Sequence, residues 1–545
     1  VLRSTLEEPR VAVGARLALV CGLLAFGCAP EVGPGAACDV VIISIDTVRA
    51  DSLTFEDIDV SPNLCALAKR GMLFDQAIAG SSWTLPSHAE LFTGLPPILH
   101  GVHDDGRRID PLHATLGERL SKLGMHTAGV FSGWYLAGAY GFERGFSSYQ
   151  CALAEEPEAD QDLARALGAG GTAALWARDM RGFASHRDVS SARVIELAQQ
   201  AVLETPTDQR LALFVHLFDP HHDFIPPKPF ADRFDPDYAG NMNGENYWNN
   251  PAIYNPAREP ARVISDRDLE HVRSLYRGEI AWVDDRIGDL LDTLESTGRM
   301  ENTLFVVLSD HGEEFFEHGN RGHRQTLYDE VLRVPLLVVP PASQQSEAAH
   351  CSRQVALCDI LPTLLDYVGS PVATQCWGRS LRALIEGNDL PARPVLSHLG
   401  LGAAHGSRAP LRMLECYRSE EYKLIRRLEL GTGPLGSRIE ALEWYDLRAD
   451  PNELTRLTAH ERVKIEPAWR AAEAELEAMR KFASSLPRSS PDELTTDVTR
   501  IFESELKALG YGGEGFDAPE AENRWPTEPG PALHLPSTLP VDSSE

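Results

Sequence analysis

No stretch of this sequence is apolar for the ~20 residues that a bilayer-spanning helix requires, so a polytopic membrane protein is excluded. Positive charge is scarce as well. Against 80 Asp+Glu stand 51 Lys+Arg, a formal net charge of -29. Such a surface repels phosphate backbones, which excludes nucleic acid as a partner. The nine cysteines include no CxxC pair, so neither a zinc knuckle nor a disulfide-stapled mini-protein is in view. One bridge, Cys351 to Cys376, is a candidate in an oxidising compartment. Internal repeats are also lacking. What remains is ordinary globular composition, 43% hydrophobic and 24% charged. At 545 residues the chain is longer than one core usually serves, which predicts a large domain with a smaller one appended.

The amino terminus reads as an export leader. Arg3, Arg10 and Arg16 precede a short apolar stretch from Leu17 to Gly27, the pattern of a signal-peptide core. The stretch ends at Cys28, and Pro30, Gly33, Pro34 and Gly35 follow as a tether. This is similar to a bacterial lipoprotein signal with Cys28 as the lipidated residue. The expectation is a leader and tether over 1–37 and an exported protein, periplasmic or at the cell surface, whose membrane contact is that anchor alone.

Beyond the leader the sequence predicts an α/β fold. Val40 to Ile45, Leu211 to Leu217, Thr303 to Leu308 and Val334 to Val339 are continuous apolar runs, as in strands buried on both faces of a parallel sheet. Helical spacing falls between them, at 116–123, 194–203 and 270–294. Ligands of such sheets bind beyond the carboxyl ends of the strands, which singles out Asp46 and Asp310-His311. Past Pro394 shorter segments, Tyr422 to Ile425 and Trp444 to Leu447, suit a small antiparallel sheet, and Glu466 to Phe482 an amphipathic helix. The expected divisions are 38–395, 396–485, and a terminal helix with a Pro-rich acidic tail over 486–545. Residues 155–187 and 232–260 read as long loops that shape a pocket.

Three segments could carry chemistry. Asp46 ends a strand with Arg49 three residues on, although such an aspartate also serves as a helix cap. Ser82 to Gly94 reads as a turn entering a helix, whose free amides favour an anion, or in which Thr84 is simply a cap. Leu308 to Glu314 and Glu317 to His323 set Asp310 beside His311, hard oxygen beside imidazole nitrogen, a pairing that suits Zn, Mn, Mg or Ca. The run Glu313, Glu314 and Glu317 reads as a solvated helix face.

In this order the segments resemble the sulfatase branch of the alkaline phosphatase superfamily, from residue 39 to about 460. Asp219-Pro220-His221, Thr326 to Glu330 and Tyr445 to Glu453 also match. The resemblance implies an alkaline-phosphatase/sulfatase-like sandwich, α/β, with a central mostly parallel sheet and a small C-terminal antiparallel sheet. It also implies an anionic ester substrate and one divalent metal (Zn, Mn, Ca or Mg) held by Asp46, Asp310 and His311 with Thr84. Thr84 stands at the nucleophile position, where the family carries a Cys or Ser that is oxidised to formylglycine, and His88 replaces the arginine of that maturation motif. Threonine cannot yield the aldehyde. The sulfate-gripping Gly-Lys-Trp-His segment is here Ser132-Gly133-Trp134-Tyr135. The expectation is therefore a hydrolase of phosphate mono- or diesters, or a phosphoryl transferase, acting through Thr84. His221 and His323 would stabilise charge or protonate the leaving oxygen, His88 would brace the metal ligands, and His222, His318 and Arg49 would lie toward the substrate. A sulfuric ester hydrolase that works without formylglycine is the second reading, and a catalytically silent surface lipoprotein binding an anionic glycan the third.

Overall fold

Seven consecutive buried residues, Asp39–Ile45, form β1, and its side chains divide between two cores. Val40 and Ile42 join one, and Val41, Ile43 and Ile45 the other. Burial on both faces explains why the segment is apolar throughout rather than alternating. The computed structural model describes residues 38–489 apart from 104–106, 153–189, 246, 249, 256–257, 259, 346–348, 371–374, 402–411, 430–437, 459–460 and 462–465. Cys28 and its leader, the loop at 155–187 and the tail beyond 489 lie outside the described residues.

The remaining strands of the main sheet are β2 (Met72–Ile78), β3 (His126–Phe131), β4 (Ser148–Cys151), β5 (Leu211–Leu217), β6 (Thr303–Ser309), β9 (Arg333–Val334), β10 (Leu336–Val339) and β11 (Ala349–Ala356); β7 (Glu314–Phe315) and β8 (Arg321–Gly322) form a separate hairpin. The order is β11-β2-β10-β6-β1-β5-β3-β4, with β9 beside β2. Only β9 and β10 run antiparallel to their neighbours. The expected single strand from Val334 to Val339 is two. Pro335 has no N–H to give a ladder, so Val334 pairs with Ala77 of β2 and Leu336 with Leu308 of β6.

Helices Thr84–Thr93 and Ile360–Tyr367 cover one face through Leu85, Ala89, Phe92, Ile360 and Leu364. Helices Ser191–Glu204 and Asp266–Ser296 cover the other through Val194, Ile195, Val272, Ile280 and Val283. Among the described residues no helix is long and apolar enough to cross a membrane.

β12 (Val395–Leu401), β13 (Arg412–Arg418), β14 (Tyr422–Glu429) and β15 (Arg438–Asp446) form the antiparallel second sheet. One face carries Leu396, Tyr417 and Leu424 against Ala472, Leu476 and Met479 of helix Glu466–Ala483. The other adds Leu399, Leu414, Cys416 and Ile425 to the main core. A buried ionic joint completes the attachment: Lys423 Nζ lies 2.8 Å from both Asp329 Oδ1 and Glu453 Oε1, and Arg418 also grips Asp329 at 2.7 Å. Against the cost of burial, Arg418 and Lys423 hold the Asp329 carboxyl well below the usual carboxylate range. Cys351 and Cys376 are not bridged; the first sits in β11 and the second turns its sulfur toward the Thr93 carbonyl.

Candidate active site

β1 and β6 are parallel neighbours in register, Ile45 opposite Ser309, so both deliver their next residue to the same end of the sheet. Those residues are Asp46 and Asp310, both fully buried. Opposite them stands the start of helix Thr84–Thr93, brought close by the preceding turn. There the Gly80 N–H donates to Glu90 Oε2 at 2.7 Å, and a Cβ at Gly80 would lie only 2.2 Å from that oxygen. Trp83 stands at the N-cap position of that helix and makes no side-chain capping bond. The Thr84 hydroxyl is thus not spent on a cap; it donates toward Asp46 Oδ2 at 3.4 Å and lies 3.4 Å from His311 Nε2.

Three ligand atoms converge here. His311 Nδ1 donates to the Gly312 carbonyl at 3.0 Å, which leaves Nε2 as the lone-pair nitrogen. That nitrogen lies 3.6 Å from Asp46 Oδ1 and 3.4 Å from Asp310 Oδ2. These two carboxylate oxygens are buried with no hydrogen-bond partner. Buried oxygens without donors are costly unless a cation is meant to meet them. The electrostatics agree: burial pushes Asp46 up to about 6, and burial together with Asp46 raises Asp310. The pair is short of positive charge, and a divalent ion fits the donor set.

Two histidines brace this group from below. His216, on β5, donates through Nε2 to Asp46 Oδ2 at 3.1 Å. His88 donates through Nδ1 to the Thr84 carbonyl at 2.9 Å, accepts from Ser44 Oγ at Nε2, and has Asp310 Oδ2 at 3.4 Å. Burial lowers both to about 4, so both are neutral at physiological pH. His88 thus touches the Thr84 backbone and Asp310, not the Thr84 hydroxyl.

A second group, His221, His222 and His323, has ring nitrogens within 4.8 Å of one another. The His323 ring lies 4.6 Å from that of His311, 4.9 Å from His221 and 5.3 Å from His222. His221 stacks on Phe218, and His222 on Trp248. Beneath them is Glu313, fully buried, with Oε2 accepting from His323 Nδ1 at 3.2 Å and 3.8 Å from His222 Nδ1. His323 and His222 hold Glu313 down at about 2 against the cost of burial, while burial depresses His323 to about 4. At neutral pH this is a carboxylate anion orienting a neutral imidazole.

Several expectations are corrected. Glu313, Glu314 and Glu317 form no solvated helix face. Glu314 begins β7 and accepts from the backbone of His318 and Asn320, while Glu317 pairs with Arg49 and Arg273. Arg49 is committed away from substrate: its guanidinium binds Asp51, Glu317 and the Glu313 carbonyl, and so fixes the loop that carries Glu313. His318 is not brought to the histidine group; it lies 3.6 Å from the Tyr328 ring and 3.4 Å from Glu330. Asp219 caps helix Ser191–Glu204, accepting from Ser190 and Ser191, and Asp223 accepts from the Tyr247 N–H.

Comparison with known proteins adds the following. The family model described as Sulfatase matches residues 39–370, and that for the C-terminal part of N-sulphoglucosamine sulphohydrolase matches residues 317–481. The uncharacterized sulfatase YidJ of Escherichia coli (strain K12) is 26% identical over 412 residues, covering 72% of this chain and 77% of its own. The multifunctional alkaline phosphatase superfamily protein PehA of Trinickia caryophylli is 23% identical, over 77% of this chain and 91% of its own. The crystal structure of the phosphonate monoester hydrolase of Agrobacterium radiobacter shares the fold with a TM-score of 0.60 at 22% identity, covering 83% of this chain and 96% of that one.

Proposed function

The chain belongs to the sulfatase family of the alkaline phosphatase superfamily, and on that footing we propose that it hydrolyses phosphate mono- or diesters, or transfers their phosphoryl group, with Thr84 as nucleophile and one divalent metal. As a sulfatase-like ester hydrolase it acts on anionic esters. The observation that carries the finer reading is the Thr84 hydroxyl, 3.4 Å from both Asp46 Oδ2 and His311 Nε2. Oxidation of a threonine side chain gives a ketone, never the formylglycine aldehyde. The names of the relatives span sulfatase and alkaline-phosphatase superfamily protein, so the family does not by itself decide between sulfur and phosphorus.

A divalent ion held by Asp46, Asp310 and His311 with Thr84 would favour the alkoxide and offset charge on the phosphoryl oxygens. The Thr84 oxygen forms a bond to phosphorus in line with the ester oxygen, whose bond to phosphorus breaks. The hydroxyl proton leaves toward Asp46 Oδ2, the acceptor it already faces, and the leaving oxygen takes up a proton through the histidine group, where Glu313 counters the charge that His323 carries meanwhile. Attack by water on the resulting phosphothreonine breaks the P–Oγ bond and restores Thr84; an alcohol in place of water makes the reaction a transfer. Export and lipidation at Cys28 complete the reading, on the strength of the leader pattern alone.

Its test is a panel of aryl phosphate monoester, phosphodiester and sulfate ester assayed with Zn, Mn, Mg or Ca. Metal-dependent turnover of a phosphorus ester above the sulfate rate is expected, with one ion per chain. Dominant sulfate turnover would establish the sulfuric ester reading instead. Two ions per chain would assign one to His221, His222 and His323, whose nitrogens are close enough to share it. Glu313→Gln is expected to lower kcat about 10- to 100-fold with KM little changed, because the His323 ring loses the anion that sets its tautomer. An unchanged kcat would remove Glu313 from the mechanism.

A further inference from the structure

The turn that delivers Thr84 is tied down at successive residues by groups from elsewhere in the fold. The Ala79 carbonyl accepts from Ser397 Oγ at 2.7 Å, the Gly80 carbonyl accepts from the His398 N–H at 2.8 Å, and Ser81 Oγ donates to the His398 carbonyl at 2.7 Å. Ser397 and His398 lie in β12, so the second sheet reaches the turn directly. The Ser81 carbonyl accepts from Ser87 Oγ at 2.9 Å, which closes the turn onto the helix it enters. The Gly80 N–H is taken by Glu90, further along that helix. Glu90 is fully buried, and its other oxygen accepts from the Cys358 N–H at 3.2 Å, just past the end of β11. A carboxyl group offers an acceptor oxygen to each of two N–H groups, whereas glutamine would set its own NH2 against one of them. Burial pushes the Glu90 carboxyl up to about 8, and Asp359 adds to the rise. Arg393 lines the same small cavity but pairs with Asp359, at 2.8 Å. A buried carboxyl without a paired cation is a costly way to hold a turn.

We propose that Glu90 is a positioning residue for Thr84: by holding the Gly80 and Cys358 N–H groups together it fixes the turn so that the hydroxyl meets Asp46 and His311, with Ser397 as a second fastening from the other sheet. The proposal rests on the role given to Thr84 above. The Thr84 hydroxyl has only long contacts, 3.4 Å to Asp46 Oδ2 and to His311 Nε2, so its placement comes from the backbone behind it rather than from its own bonds. Gly80 leaves that backbone little slack, because a Cβ there would meet Glu90 Oε2 at 2.2 Å and Pro97 Cδ at 2.7 Å. Position has a large effect on rate: a shift of about 1 Å at the attacking atom costs on the order of a hundredfold.

The experiment measures kcat, KM, metal affinity and melting temperature for the full chain and for Glu90→Gln, Ser397→Ala and the two combined, with whichever aryl phosphate or sulfate ester the wild type turns over. Glu90→Gln is expected to lower kcat about ten- to a hundredfold while KM changes less than about threefold. Its melting temperature at pH 8 should equal or exceed that of wild type. Among Cys358, Asp359 and Arg393 the folded carboxyl keeps its proton up to about 8, while the unfolded one loses it from about 4.5, so the stability it contributes is lost as pH rises through that window. Glutamine has no such loss. A slower variant that is no less stable separates positioning from a merely structural role, which would lower rate and stability together. Ser397→Ala should lose about two- to tenfold, and the combined variant less than the product of the separate factors, because both residues fasten one turn. An unchanged kcat in Glu90→Gln, or a loss that tracks a lowered melting temperature, overturns the proposal, as does independent multiplication in the combined variant. If the wild type turns over a sulfate ester but no phosphorus ester, the phosphoryl reading fails, while the same kcat loss on sulfate still supports the positioning. If it turns over neither, metal affinity decides: Thr84 is one of the proposed ligands, so Glu90→Gln should bind Zn or Mn severalfold more weakly, and equal affinity overturns the proposal.

Discussion

Thr84→Ala is expected to lower kcat for a phosphorus ester at least about a thousandfold, with a much smaller change in KM, because in the proposed mechanism the missing oxygen is the one that bonds to phosphorus. Thr84→Ser should stay within about tenfold of wild type, since the hydroxyl persists and only a methyl group is lost. The contrast matters more than either value. Thr84 is buried at the start of its helix, so a methyl-sized loss could disturb packing, but packing damage would appear in Thr84→Ser as well as in Thr84→Ala. Trapping gives an independent reading: a rapid acid quench of the wild-type reaction should leave phosphate on a peptide containing Thr84. Turnover in Thr84→Ala above a tenth of wild type would mean that water attacks directly and that Thr84 only lines the site.

The second large effect concerns Asp310→Asn and reverses sign with metal. Asp46 Oδ1 and Asp310 Oδ2 are buried without donors, and burial together with the Asp46 carboxylate makes Asp310 harder to ionise. Asparagine keeps an oxygen for the Thr47 and His311 N–H groups that Asp310 Oδ1 now serves, but brings no charge. In a chelator the variant is expected to unfold at the same temperature as wild type or higher, relieved of like-charge repulsion. With metal the order inverts. Wild type gains about 2.7 kcal/mol when free metal is a hundred times its Kd, while the variant gains little. Activity should fall at least about a thousandfold in parallel with bound metal measured by elemental analysis. If added metal shifts both melting temperatures equally, Asp310 is no ligand.

The centre of the molecule was legible in the sequence because β1, β5 and β6 are buried on both faces and therefore read as unbroken apolar runs. The edges were not. β11 carries His350, Ser352 and Arg353 with one side open to solvent, and β2 carries Asp75 and Gln76, so neither shows the continuous pattern. Asp46, Asp310 and His311 could be found because they end legible strands. His216 could not, since a single histidine within an apolar strand looks like a tolerated exception; its partner, Asp46, is 170 residues away. Glu313 was hidden by its neighbours. Three glutamates within five positions look like surface, and the partners that hold them come from elsewhere: His222 and His323 for Glu313, Thr326 for Glu314, Arg49 and Arg273 for Glu317. Positive φ at Gly319 and Gly322 marks the tight hairpin there, a cue available from the two glycines.

The place of β1 at the middle of the sheet, between β5 and β6, also governs when the site can come into being. Its register to β6 joins Asp39 to Thr303, and all the chain between must be synthesised and gathered before that ladder can close. Contacts so distant along the chain form late, because their loop entropy is lost before any bond repays it. Asp46 and Asp310 therefore cannot meet before the chain through residue 310 is gathered, and an ion that needs both has nowhere to settle earlier. With the proposed ligand set, metal capture would report a gathered sheet rather than seed one, and where folding follows export, the supply that counts would be the ion concentration outside the cell membrane, not the one at the ribosome.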